Sequence, residues 1–182
     1  MLFINTTIRV KSITEVASPL PRPAGLLRAG QRKGMPMTRD DSFCYRFRVR
    51  YGECDAQKVV FNSRYGDYTD IAVVEFLRHV DLFNFLIGDF DYQLVRQVTE
   101  WKSPARFDDV LEARVRTERI GRTSFTLAVE FYQGQDHNLV ATVETVYVLV
   151  HAGDLSKAEV PDDARLKLER GGPGGLTDHS RV

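Results

Sequence analysis

The stretch from Asn62 to Val80 constrains the fold of this chain more than any other. Tyr65, Tyr68, Ala72 and Phe76 recur at helical spacing along one stripe, and Ile71, Val73, Val74, Leu77 and Val80 make most of the remaining circumference apolar. A helix that is hydrophobic nearly all round belongs in an interior, so this one is expected at the centre of a domain. Asn62 or Ser63 stands where an N-cap is wanted.

The flanking pattern says what surrounds it. Phe43, Tyr45, Phe47, Val49 and Tyr51 alternate with Cys44, Arg46, Arg48 and Arg50, which predicts a half-buried strand with a basic outer face. After a loop around Gly88 come four strand-like runs, Tyr92 to Trp101, Val110 to Ile120, Ser124 to Gln133 and Leu139 to His151. The last is apolar on both faces for much of its length, as a central strand should be. Gln133 to Asn138 has hairpin-turn chemistry, and Gly121-Arg122-Thr123 makes a second short connection. The expectation is an α+β fold, an antiparallel sheet wrapped around one long central helix, which buries both elements at once.

Composition bounds the function. The 182 residues hold 25 Lys plus Arg against 25 Asp plus Glu, and the lack of a basic excess argues against a dedicated nucleic-acid binder. No stretch approaches the ~20 apolar residues of a membrane span, so a soluble, cytoplasmic protein is expected. Cys44 and Cys54 are too few for a disulfide framework or a zinc cluster, which fits a reducing compartment. The zero total conceals a division: residues 1–39 carry a net charge of +6 and the remainder −6. Residues 1–41, with four of the seven prolines, read as a disordered or weakly ordered basic extension. Its composition suits a transit peptide; against that, Met35 and Met37 stand just before the first strand, and a start placed upstream of the real one is the favoured reading. The working domain is expected over 42–170, followed by a flexible Gly-rich tail over 171–182.

No phosphate-binding glycine loop, His-Glu-x-x-His helix or Gly-x-Ser-x-Gly elbow is present. His79, His137, His151 and His179 have no ligand spacing and none adjoins a nucleophile-like residue, so they read as surface positions. What remains is the loop from Arg50 to Asn62, which sets Asp55 between a strand and the N-terminus of the buried helix. On pattern alone Asp55 is either a turn residue accepting backbone hydrogen bonds or a carboxylate placed for chemistry.

The run Val49-Arg50-Tyr51-Gly52-Glu53-Cys54-Asp55-Ala56-Gln57, with Val59-Val60-Phe61-Asn62 and Arg64-Tyr65, resembles the strand, loop and helix signature of the hotdog-fold acyl-CoA thioesterases of the 4-hydroxybenzoyl-CoA thioesterase type. The likeness continues through Asp70-Ile71-Ala72, Glu75-Phe76-Leu77-Arg78 and Gly121-Arg122-Thr123-Ser124-Phe125, and covers about residues 43 to 151. It implies a hotdog domain that hydrolyses an acyl-CoA to a carboxylic acid and CoA, with no metal or redox cofactor, CoA being part of the substrate. It also implies a homodimer or homotetramer with active sites between subunits.

In that family the loop aspartate is the catalytic carboxylate, which maps onto Asp55. Thioester hydrolysis needs a carboxylate to attack the carbonyl or deprotonate a water, and donors for the oxyanion. The N–H groups of Asn62 and Ser63, at the positive end of the helix dipole, supply a natural oxyanion site. Two departures stand out. Lys58 occupies a position where many relatives have Gly, and Asn62 one where they often have His or Tyr. Asn62 could orient a water or the thioester carbonyl, or simply cap the helix. Because the body is acidic, attraction for the polyanionic CoA is expected from local groups, Lys58, Arg64 and Arg122. Glu75 is a rival carboxylate, since another hotdog branch uses a helix glutamate; Asp67 and Asp70 read as complements to the helix dipole. The rival function is a non-catalytic hotdog protein that binds acyl-CoA or senses a ligand. A hotdog dehydratase would need an Asp and His pair, and no His lies near Asp55 in sequence.

Overall fold

The structure is a computed structural model in which residues 41–83 and 88–181 are described; the extension read over 1–41 lies outside them apart from Asp41. The strand patterns become β1 (Phe43–Arg48), β2 (Phe90–Trp101), β3 (Val110–Ile120), β4 (Ser124–Gln133) and β5 (Leu139–His151). β1 ends before the alternation does, because a 3-10 turn at Tyr51–Glu53 takes over, although Val49 still donates to the Asp109 carbonyl at 2.9 Å. The helical stretch becomes α1 (Arg64–His79).

The sheet has six strands in the order β2-β5-β4-β3-β1, with β6 (Leu176–His179) beyond β1. The first five pair antiparallel, in registers such as Phe43 with Val115 and Val129 with Val143. The inner face of the sheet and one face of α1 enclose the core, in which Phe43, Phe76, Leu77, Leu127 and Phe131 are fully or almost fully buried. Each such side chain contributes about 1.5–3 kcal/mol of transfer free energy.

Three expectations are corrected. The sheet is mixed, because β6 runs parallel to β1. α1 is not buried all round: Tyr65, Tyr68, Thr69, Ala72, Val73, Phe76 and Leu77 face the core, while Ile71 is 47% exposed and Asp67, Asp70 and Arg78 are exposed beside it. A single sheet covers only one side of a helix, so among the described residues the apolar positions on the other side have nothing to lie against. Finally, the glycine run does not release a free tail. It follows α2 (Asp162–Arg170), a helix not foreseen, which buries Ala164 and Leu168 beside Leu77, Leu82, Phe125 and Leu149. The chain then passes close over the end of α1. A Cβ on Gly175 would fall 2.5 Å from His79 Nε2, and one on Gly172 would fall 2.8 Å from His79 Cδ2 and 3.0 Å from Phe43 Cβ. Only glycine allows that approach, and Cys44 N–H then bonds the Gly175 carbonyl at 2.8 Å, starting β6.

Candidate active site

The loop between β1 and α1 is built by its own backbone. Cys54 and Val60 form an isolated antiparallel bridge, Asp55 N–H donates to the Val59 carbonyl at 2.9 Å, and Lys58 N–H donates to the Asp55 carbonyl at 2.9 Å. The Asp55 carboxylate closes the same turn, its Oδ1 accepting from Gln57 N–H at 2.8 Å and Val59 N–H at 3.4 Å. Oδ2 has no hydrogen bond among the described residues. Lys58 sits at φ 61°, the left-handed region that glycine enters freely and L residues enter at about 1–2 kcal/mol. The glycine-like conformation is therefore present even though the glycine is not.

A second carboxylate fastens this loop to the helix. Glu53 Oε2 accepts from Arg50 N–H at 2.7 Å and from the Tyr68 hydroxyl at 2.7 Å. Burial, then the bond to Glu53, pushes the Tyr68 phenol far up, so it stays a donor at neutral pH. On the other side Val60 N–H donates to the Ala105 carbonyl at 2.8 Å, and Phe61 N–H to the Glu53 carbonyl at 2.9 Å. Burial pushes the Cys54 thiol up, which the Phe107 backbone opposes and the Glu53 and Asp55 charges reinforce, so the cysteine beside Asp55 stays protonated.

α1 opens directly after the loop. Ser63 occupies the N-cap position with helical φ −68° and ψ −21° and makes no side-chain cap, so the expected capping by Asn62 or Ser63 is not found. The first bonds run from Arg64 N–H to Phe61 O at 2.9 Å and from Gly66 N–H to Ser63 O at 3.1 Å. The N–H groups of Asn62 and Ser63 have no hydrogen bond among the described residues, and both residues are exposed.

The other candidates scatter. Lys58 is exposed at the loop tip, and Arg64 pairs with Asp67 at 2.9 Å on the first turn of α1. Arg122 pairs with Glu159 at 2.7 Å, in the turn after β3. Since β3 pairs with the Asp55 end of β1 at Val110, its length puts that turn ~35 Å away, at the far end of the sheet. Glu75 is bound by Arg78 and lies ~20 Å along α1 from Asn62, so it does not join Asp55. Sequence reasoning missed Glu53, although Tyr68 in the buried stripe was a signal, because a buried phenol needs an acceptor.

Two hollows flank α1. A groove of about 590 Å³ runs between α1 and β1, with Tyr45, Phe47, Tyr68 and Ile71 along it and Tyr51 and Phe107 at one end. A trough of about 410 Å³ lies toward β2, lined by Asp70, Val73, Val74, Tyr92, Leu94 and Tyr147 among others. Asp55 lines neither. No group of three or more His, Cys, Asp or Glu is gathered for a metal among the described residues, and none of their helices is long and apolar enough to cross a membrane.

Residues 49–168 match the pattern of the Thioesterase-like superfamily. This chain belongs to that superfamily. Over 115 residues it is 31% identical to an Aquifex aeolicus (strain VF5) protein named only provisionally as an esterase, matching 62% of this chain and 88% of that one. Among solved structures, a 1,4-dihydroxy-2-naphthoyl-CoA thioesterase from Synechocystis superposes with a TM-score of 0.64 at 22% identity, over 70% of this chain and 95% of that one. A gentisyl-coenzyme A thioesterase gives 0.62 at 22% identity, over 69% and 98%. At that identity these two show the fold alone: the chain has the hotdog thioesterase-like fold.

Proposed function

We propose that the protein is an acyl-CoA thioesterase of the 4-hydroxybenzoyl-CoA thioesterase type that hydrolyses an acyl-CoA to a carboxylic acid and CoA. The observation that carries this is a loop that sets Asp55, with Oδ2 open, seven residues before Asn62 at the head of α1, where the N–H groups of Asn62 and Ser63 have no hydrogen bond among the described residues. A thioester carbonyl held at those N–H groups builds up negative charge as it is attacked, and one such donor is typically worth about 100- to 1,000-fold in rate. Asp55 takes the proton from the attacking water and returns it to the departing sulfur, or itself attacks the carbonyl to form a mixed anhydride that a water then hydrolyses, that water supplying the thiol proton. The carbonyl then re-forms, the C–S bond breaks, and the sulfur leaves as the thiol of CoA.

The site is completed by a second copy. β2 is a sheet edge 12 residues long, and long unpaired edges invite pairing. Two β2 edges joined antiparallel by a two-fold axis would bring the far end of one sheet to the near end of the other. Arg122 of the partner subunit would then lie at the Asp55 end of the joined sheet, the end at which Lys58 and Arg64 are proposed to meet a CoA phosphate. The same pairing would cover the exposed side of α1.

Asp55→Asn tests the reading. Thiol release from a panel of aromatic, short-chain and long-chain acyl-CoAs should fall by at least about 100-fold, with fold and assembly intact. The turn bonds on Oδ1 favour the rival view of Asp55 as a purely structural residue in an acyl-CoA-binding protein; acyl-CoA binding without thiol release by the unaltered protein would establish that rival.

A further inference from the structure

The two hollows beside α1 differ in charge. The trough toward β2 is lined by two carboxylates, Asp70 and Asp91, and by no basic side chain. The groove toward β1 is lined by Arg48, Arg50 and His179. The two acidic residues along it are already engaged: Asp108 pairs with Arg48 at 3.1 Å, and Glu53 accepts from Arg50 N–H and the Tyr68 hydroxyl. The Arg50 guanidinium is exposed and in no ion pair among the described residues. Burial, then the Glu75 charge, push the Tyr45 phenol up while Arg50 pulls it back, so the guanidinium is felt across the groove. A polyanion is therefore repelled from the trough and drawn to the groove.

The same groove presents two rings to solvent at one end. Tyr51 is 81% exposed and Phe107 55%, and they meet edge to face with centroids 5.8 Å apart. Neither belongs to the core cluster. Both are nevertheless fixed in place, Tyr51 by the 3-10 turn that it begins and Phe107 by a backbone hydrogen bond to Cys54. Apolar surface held open at the mouth of a groove marks a place for a ligand, and aromatic faces stack on nucleobases. Arg50, one residue before Tyr51, supplies the planar cation that suits a phosphate.

This end of the groove adjoins the chemistry. Phe61 N–H donates to the Glu53 carbonyl at 2.9 Å, so the chain entering Asn62 runs beside the Tyr51–Glu53 turn. A thioester at the head of α1 therefore has its carrier within reach of both rings and of Arg50. We propose that the nucleotide of CoA lies at the mouth of the groove between α1 and β1, its adenine on Tyr51 and Phe107 and a phosphate on Arg50. The protein thereby selects CoA esters over esters of thiols that carry no nucleotide. The inference rests on the thioesterase reading above and adds three residues to Lys58 and Arg64 for holding CoA.

The test uses whichever acyl group of the panel wild type hydrolyses fastest, presented as its CoA ester and as its pantetheine ester, which has the same reactive arm and no nucleotide. Thiol release by wild type is measured beside Tyr51→Ala and Arg50→Gln, both at exposed positions, with light scattering to follow assembly. Wild type should favour the CoA ester by at least about tenfold in kcat/KM, and 3′-phosphoadenosine 5′-phosphate should compete with that ester. In each variant the preference should fall toward one, through a higher KM for the CoA ester, and the nucleotide should compete more weakly. A wild type that treats the two esters alike, or variants that keep the preference, overturn the inference alone. So do variants that lose both esters equally, unfold or dissociate, because the residues would then serve the loop or the assembly rather than the nucleotide. A wild type that releases no thiol from any acyl-CoA overturns the thioesterase reading and this inference with it.

Discussion

Tyr68 has a ring in the core and a hydroxyl on Glu53 Oε2, so one residue ties the Asp55 loop to α1. Tyr68→Phe keeps the ring and removes the donor, leaving Glu53 with Arg50 N–H alone. Stability to urea should drop by about 1–2 kcal/mol, and thioester turnover should fall with it as the loop loosens. Asp55 was legible in the sequence because its position between strand and helix is local. Glu53 was not, because its value depends on a phenol 15 residues on, brought over only when the helix packs. Lys58 lies between these cases. Its lysine hid the turn that its φ of 61° shows to be glycine-like.

Among the elements, the five long strands and α1 could be read because each carries its own period over ten or so residues. β6 could not. Four residues after a glycine run have no period to read, and the glycines that suggested a loose tail are what let the chain pass His79. β6 is held at its end by Asp178, whose carboxylate accepts from the Ser180 hydroxyl at 2.6 Å, Ser180 N–H at 2.9 Å and Arg46 Nη1 at 3.2 Å. The Ser180 bonds first, and Arg46 after them, hold the Asp178 carboxyl below the usual aspartate range. An acid whose folded value is lowered stabilises the fold above its unfolded value, and the contribution is lost as pH falls through the lowered one. Amide hydrogen exchange in Leu176–His179 should therefore speed up, relative to β3 and β4, as the pH is taken below about 3.9; equal protection at acid and neutral pH would count against this.

For the whole molecule, the β2 edge and the outer side of α1, which no described residue covers, both fit the proposed second copy. The protein should run in light scattering at twice or four times its 20.7 kDa chain mass, and a monomer at micromolar concentration would remove the composite site proposed for CoA. The sequence by itself determined the order of the main elements, the core stripe of α1 and the place of Asp55, because periodicity and turn chemistry act between near neighbours. Only the tertiary structure decided that Arg122 lies at the opposite end of the sheet from Asp55, that Glu75 is remote, and that Gln97 Oε1 faces Gly66. Those relations depend on which strands become neighbours and in what register, and residues dozens of positions apart meet only once the sheet has closed over the helix.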